Sequence, residues 1–192
     1  VAPGLRLDQT KTRRAVLAWF ATSGYHHVMI DTHAHLDVKA FDADRAAVIA
    51  RSLEAGIDTW VVPAIEPAAT RRALAADWRR PGLYFSAGIH PHEAERLGVA
   101  AVKEVEALLL EHPEIVAVGE AGLDYFYHPE EAPRQKALFD AQVDLARRHD
   151  RPLIVHARNG RDPGLDAFSD ILEISVAAVS GASMLVRLDL YR

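Results

Sequence analysis

The stretch IVAVGEAGLDYFYHPEEAPRQKALFDAQVDLARRHDRPLIVHAR, residues 115–158, contains two strand-like segments separated by a helix-like one. The segments that begin near Ile115 and Pro152 are short, apolar and rich in β-branched side chains, which is typical of buried strands. Between them, residues 133–149 begin with a proline, which suits the first turn of a helix. A strand, a helix and a second strand at this interval predict two neighbouring parallel strands.

The same interval recurs towards the N-terminus. Strand-like segments begin near Val28, Thr59 and Leu83, and each is followed by a helix-like stretch. No GxGxxG fingerprint follows the first strand, which makes a dinucleotide-binding fold less probable than a barrel. We therefore expect an α/β fold, a TIM-type (β/α) barrel that is incomplete, with about five to six of its eight βα units. The further predicted helices are residues 41–55, 67–79 and 99–111, and each ends shortly before a glycine or a proline.

Two regions lie outside this pattern. Residues 1–28 are expected to be an N-terminal extension that is not part of the barrel domain, which we place at residues 29–173. Residues 174–192 are expected to be an atypical tail, with one possible strand at 176–179 and a second within 184–190, and with no helix between them.

The composition limits the chemistry. The 192 residues include no cysteine, so a metal would have to be held by His, Asp and Glu, and the cytoplasm is the expected compartment. A formal net charge of -5 disfavours a protein that coats nucleic acid through a broad basic surface. The apolar run at residues 15–21 is too short for a signal peptide or a membrane anchor, so no membrane association is expected.

Three predicted strand ends carry side chains that bind metals. Alternation along the first strand would place His33 and His35 on the same side. The fourth strand is expected to end at Glu120, beside Gly119, where another backbone could approach closely, and the fifth ends at His156. Taken singly, each has an ordinary structural explanation, such as a hydrogen-bonded core histidine or a solvent-exposed glutamate. Together they indicate a site, because a barrel brings the carboxyl ends of its strands to one opening.

Four further residues are expected near the same opening. His90 and His92 follow the third strand and could contact a substrate phosphate, although solvated histidines in a proline-containing turn would look the same. Asp124 could act with the catalytic carboxylate by orienting a ligand or a water, or could simply begin a turn. Arg158 could hold a phosphate oxygen, as could many surface arginines at strand ends.

The strings MIDTHAHLD, GIHPH, GEAGLDY and IVHAR, in this order and spacing, resemble the TatD family of metal-dependent deoxyribonucleases over roughly residues 29–173. The resemblance implies a distorted TIM-type barrel, two divalent metal ions (Zn, Mn or Mg) and hydrolysis of phosphodiester bonds of DNA by a metal-activated water. It implies that His33 and His35 hold one metal, that Glu120 bridges both and takes part in catalysis, and that His156 holds the second. The expected partner is DNA or another phosphodiester substrate.

The resemblance is incomplete towards the C-terminus. Family members contribute a further histidine and an aspartate from later strands, and this sequence has no histidine after His156. We therefore expect a C-terminally truncated copy that hydrolyses DNA slowly, if at all. Two alternatives remain open: another metal-dependent barrel hydrolase of the lactonase or amidase kind, and a non-catalytic fragment that binds one metal weakly or pairs through an open sheet edge.

Overall fold

The computed structural model describes residues 29–178 and 188–190, which form one sheet of six strands. All neighbouring strands are parallel, and their order in the sheet is their order along the chain. A sequential parallel order with intervening helices is the arrangement of a (β/α) barrel. The strands are β1 Met29–Asp31, β2 Ile57–Val62, β3 Leu83–Ala87, β4 Ile115–Asp124, β5 Leu153–Arg158 and β6 Leu188–Leu190.

The helices lie between the strands, close to their predicted positions. They are α1 Arg45–Glu54, α2 Pro67–Leu74, α3 Ala94–Leu97, α4 Val102–Glu111, α5 Ala132–Arg148 and α6 Ala167–Ala178. A short 3-10 helix at Val99–Ala101 occupies the first turn of the helix predicted over 99–111, and another at Lys39–Phe41 precedes α1, which begins at Arg45, four residues later than predicted. The helix predicted over 67–79 ends at Leu74, where the side chain of Arg79 donates a hydrogen bond to the carbonyl oxygen of Leu74 (2.6 Å).

The strand predicted at 176–179 is wrong, because α6 continues to Ala178. Ala167, Ile171 and Ser175 are buried and recur every four residues, which places them on one face of a helix. The second predicted strand of this region is found in part, as β6. The predicted extension at residues 1–28 lies outside the described residues, as do residues 179–187.

The core lies between the sheet and the helices, and β4 runs through its centre. Nine of the ten residues of β4 are buried, as expected for a parallel strand covered on both faces. Phe139 and Leu145 of α5 and Val105 of α4 are fully buried in the same cluster. Within the described ranges, we find no helix long and apolar enough to span a lipid bilayer.

Glycines let β3, β4 and β5 approach one another closely where the side chains of the site emerge. A Cβ atom on Gly88 would lie 2.4 Å from the carbonyl carbon of Gly119. Gly119 has a φ of +131°, and a Cβ atom there would lie 2.5 Å from the carbonyl oxygen of Ile154. The close backbone approach predicted at Gly119 is therefore confirmed.

Candidate metal centre

Two carboxylates of the site come from one strand. The sequence places Glu120 at the end of β4, and this is wrong, because β4 continues for four more residues to Asp124. The register between β4 and β5 shifts between Val118 and Ala121, and pairing then resumes up to Asp124. Glu120 and Asp124, an even number of residues apart, both line one cavity.

Glu120 lies at the centre of a group of imidazoles. Its Oε2 atom is 3.5 Å from Nε2 of His33 and 3.4 Å from Nε2 of His35. Its Oε1 atom is 3.1 Å from Nδ1 of His156. Only 4% of the Glu120 side chain is exposed, so both oxygens face imidazoles and not solvent.

His33 and His35 lie in the segment that follows β1, not within the strand as predicted. The segment still runs alongside β2, because the N–H of Ala34 donates to the carbonyl oxygen of Val61 (3.0 Å). The side chain of Asp31 accepts a hydrogen bond from the N–H of His33 (3.1 Å). The two rings have centroids 5.0 Å apart and both reach Glu120, as predicted from their spacing.

The donor atoms form two groups that share Glu120. One contains His33, His35 and Glu120, and the other contains His90, Glu120 and His156. Within each group, one ligand atom per residue lies within 4.8 Å of the others. His90, which the sequence suggested as a contact for substrate, is buried and lies instead in the second group.

The protonation of these groups follows from burial and contacts. Burial and the neighbouring His156 lower the pKa of His90 to about 3, so its imidazole is neutral. Burial alone would raise the pKa of Glu120, but hydrogen bonds with His156, His33 and His35 outweigh it and hold that pKa far below its usual range. Burial likewise disfavours a charged His156, yet hydrogen bonds with Asp124 and Glu120 raise the pKa of His156 to about 9.

Asp124 connects two histidines to the loop after β4. Its Oδ2 atom is 2.9 Å from Nε2 of His92 and 3.1 Å from Nε2 of His156. Its Oδ1 atom accepts hydrogen bonds from the N–H groups of Phe126 (2.9 Å) and Tyr127 (3.3 Å). The side chain of Asp124 is fully buried, and its hydrogen bonds with His156 and His92 hold its pKa far below the usual range against the effect of burial. Asp124 thus begins a turn and also forms hydrogen bonds with two imidazoles.

An open cavity of about 500 Å³ contains this arrangement. Every residue that the sequence suggested for the site lines it, including His92 and Arg158. Ile65 and Tyr127, which the sequence did not suggest, complete its wall. The expected convergence at the carboxyl ends of the strands is therefore found.

Two buried glutamines that support the site were missed. Gln135 and Gln142 of α5 are fully buried, and their amides bind the main chain of Asp124 and of Ile89, the residue before His90. The sequence did contain a signal. The glutamines are seven residues apart, on the same face of α5 as the buried Leu138, where an unpaired polar side chain would be costly.

Comparison with known proteins identifies the family. The model of a family described as "TatD related DNase" matches residues 30–186. The chain belongs to this family.

TatD relatives match the chain over part of their length. The "Uncharacterized metal-dependent hydrolase YjjV" of Escherichia coli K12 is 37% identical over 134 residues, which are 69% of this chain and 52% of the relative. The "3'-5' ssDNA/RNA exonuclease TatD" of Erwinia billingiae is 33% identical over 135 residues, 70% of this chain and 51% of the relative. The chain thus spans about half the length of these curated TatD relatives.

The crystal structure of YjjV, a TatD homologue, matches this structure with a TM-score of 0.63 and 36% identity. The match covers 68% of this chain and 51% of that one. The predicted fold, an incomplete TIM-type (β/α) barrel, is confirmed.

Proposed function

We propose that this TatD-family chain forms the metal-binding part of a hydrolase that cleaves phosphodiester bonds of single-stranded nucleic acid. The observation that carries the proposal is the position of Glu120, whose two oxygens face separate groups of imidazoles. A buried carboxylate shared by two such groups suits a bridge between two cations. The name of the Erwinia relative, an ssDNA/RNA exonuclease, supports nucleic acid as the substrate.

The residues fit a pair of divalent ions by their chemistry. His33 and His35 would hold one ion, His90 and His156 the other, and Glu120 both. A neutral imidazole is the form that binds metal, and His90 is held neutral by burial. Sites rich in imidazole suit zinc and related transition-metal ions better than magnesium, which prefers oxygen ligands.

The bound ions would activate a water and neutralise charge that develops on the phosphate oxygens. The surrounding residues have roles of their own. Asp124 would orient the imidazoles of His156 and His92, because its carboxylate faces the Nε2 atom of each. His92 is 38% exposed at the cavity, so its imidazole is within reach of a bound substrate. Arg158, at the cavity wall, adds a fixed positive charge that favours an anionic substrate.

The test supplies the purified chain with Mn²⁺ or Zn²⁺ and measures its turnover of a single-stranded DNA oligonucleotide. Turnover of a lactone and of an anilide is measured for comparison. We expect slow hydrolysis of the oligonucleotide alone, with loss of this activity in Glu120→Gln but not in Glu111→Gln, an exposed glutamate of α4. Lactone or anilide hydrolysis that depends on Glu120, without DNA hydrolysis, would overturn the substrate assignment. Loaded protein that turns over none of the three would favour a non-catalytic role.

A further inference from the structure

Two aromatic side chains next to the metal centre are exposed to solvent. Phe126 and Tyr127 lie in the loop after β4, two and three residues beyond its end, and are 40% and 54% exposed. Their ring centroids are 4.9 Å apart with an angle of 85° between the rings. Exposed apolar side chains that lie side by side and are rimmed by polar groups are typical of binding sites.

Two arginines lie over these rings. The guanidinium of Arg158 is 4.2 Å from the centroid of Phe126 and 4.7 Å from that of Tyr127. The guanidinium of Arg161 is 5.8 Å from the centroid of Phe126. We call Phe126, Tyr127, Arg158 and Arg161 the aromatic–arginine patch. It presents π faces and positive charge together, on a chain whose net charge is -5.

The backbone beneath the patch is held in place. The carboxylate of Asp124 accepts hydrogen bonds from the N–H groups of both Phe126 and Tyr127. The preceding Tyr125 is 1% exposed, and its hydroxyl donates to the carboxylate of Asp170 (2.8 Å). The N–H of Tyr125 also donates to the carbonyl oxygen of Arg158 (2.9 Å), which ties the loop to β5. A ligand that stacks here would therefore meet a preorganised surface.

The patch begins inside the cavity and extends away from it. Tyr127 and Arg158 line the cavity together with the histidines, and the ring of Tyr127 is 5.4 Å from that of His92. Phe126 and Arg161 do not line the cavity, but the guanidinium of Arg158 contacts the ring of Phe126 and so connects them to its wall. A chain that placed a phosphodiester at the metal centre would bring its neighbouring nucleotide to this patch.

We propose that the aromatic–arginine patch is a binding site for a nucleobase, stacking the base next to the phosphodiester at the metal centre. The proposal rests on the proposed function. Every base has a π face, so aromatic side chains bind single strands with little regard to sequence. The arginines add stacking planes and attract the backbone phosphates. A nucleobase uses both features, whereas an isolated phosphate would use only the charge.

The experiment measures binding of two fluorescent single strands by anisotropy in the presence of EDTA, so that no hydrolysis occurs. One strand is ordinary DNA, and the other has the same backbone with stable abasic residues at its 3′ end. We expect the wild type to bind the ordinary strand about five- to hundredfold more tightly, the range of one stacked base. Phe126→Leu with Tyr127→Leu should remove this difference and leave binding of the abasic strand unchanged.

Two controls isolate stacking. Tyr84→Leu removes an aromatic side chain that is 39% exposed near the start of β3, away from the carboxyl ends of the strands, and should leave the preference for bases intact. Phe126→Trp keeps an aromatic face and should retain the preference, while circular dichroism verifies that each variant is folded. Equal affinity of the wild type for the two strands, including no binding of either, would overturn the proposal, as would equal losses for both strands in the double variant.

The outcomes also distinguish failure of the proposed function from failure of the proposed base-binding site. If the metal-loaded wild type does not hydrolyse the ordinary strand but still prefers bases in EDTA, the patch stands and the assigned reaction does not. If hydrolysis occurs at equal rates on ordinary and abasic strands, the reaction stands and the patch does not.

Discussion

Gln135 pairs with both polar groups of the main chain at Asp124. Its Oε1 atom accepts a hydrogen bond from the N–H of Asp124 (2.8 Å), and its Nε2 atom donates to the carbonyl oxygen of the same residue (3.0 Å). Gln142 holds Ile89 in the same way, at 2.8 and 3.0 Å. One helix thereby fixes the end of β4 and the segment that carries His90.

We predict that Gln135→Met lowers the free energy of unfolding by about 1–3 kcal/mol, because it leaves buried main-chain groups of Asp124 unpaired. Displacement of Asp124 should also weaken metal binding by about 10- to 100-fold, since Asp124 orients His156. Urea denaturation and metal titration measure the two effects. Asp140→Met, on the exposed side of the same helix, should change neither. An unchanged metal affinity in Gln135→Met would show that this pairing does not support the site.

The sequence predicted the elements far better than it predicted their ends. The five strands from β1 to β5 begin close to their predicted positions, because alternation of short apolar runs with helices is a local property. The extension of β4 from Glu120 to Asp124 could not be predicted, since it depends on a register shift against β5. The place of His90 in the second donor group could not be predicted either, because it depends on Glu120 and His156, which are distant in sequence.

Replacement of Gly122 by alanine should be strongly destabilising. Gly122 has a φ of +152°, and a Cβ atom there would lie 1.9 Å from the carbonyl oxygen of His156, which is main chain and cannot move aside without parting β4 and β5. We expect a loss of at least about 2 kcal/mol in the free energy of unfolding, together with weaker metal binding. Gly164→Ala is the matched control, because its Cβ atom would meet at 3.2 Å only the flexible side chain of Asp162. Equal melting temperatures for the two variants would contradict the close approach.

Replacement of Glu120 by glutamine should remove the shared ligand of both donor groups. The side chain keeps its size but loses its charge, so we expect the bound metal to fall from about two ions per chain to one or fewer. The rise in melting temperature on addition of Zn²⁺ should fall with it, because only ions that bind the folded state stabilise it. Metal analysis after dialysis and thermal melts measure these effects, with Glu111→Gln as control. Two tightly held ions in Glu120→Gln would show that Glu120 does not bridge.

The metal-free chain should lose stability as the pH rises from about 6.5 to about 9. The pKa of His156 is raised to about 9 by its hydrogen bonds with Asp124 and Glu120, which outweigh burial, whereas its ordinary pKa is 6.5. Because His156 binds its proton more tightly in the folded protein than in the unfolded one, protonation stabilises the fold. This stabilisation is complete below pH 6.5, the pKa of the unfolded state, and is lost as the pH rises through about 9, the pKa of the folded state. The shift corresponds to a change on the order of 3 kcal/mol. His90 has only a small opposite effect near pH 6.5, because its pKa of about 3 leaves it neutral in the folded state while about half of it is protonated in the unfolded state, whose pKa is near 6.5.

Urea denaturation in EDTA at pH 6.5 and pH 9 measures this loss, and His156→Gln should abolish most of it. His112→Gln, at a histidine outside the cavity, is the matched control and should retain the full loss. The affinity for Zn²⁺ should change in the opposite direction, because the ion must displace the proton that His156 holds at lower pH. A His156→Gln variant with the same pH dependence as the wild type would show that another group is responsible.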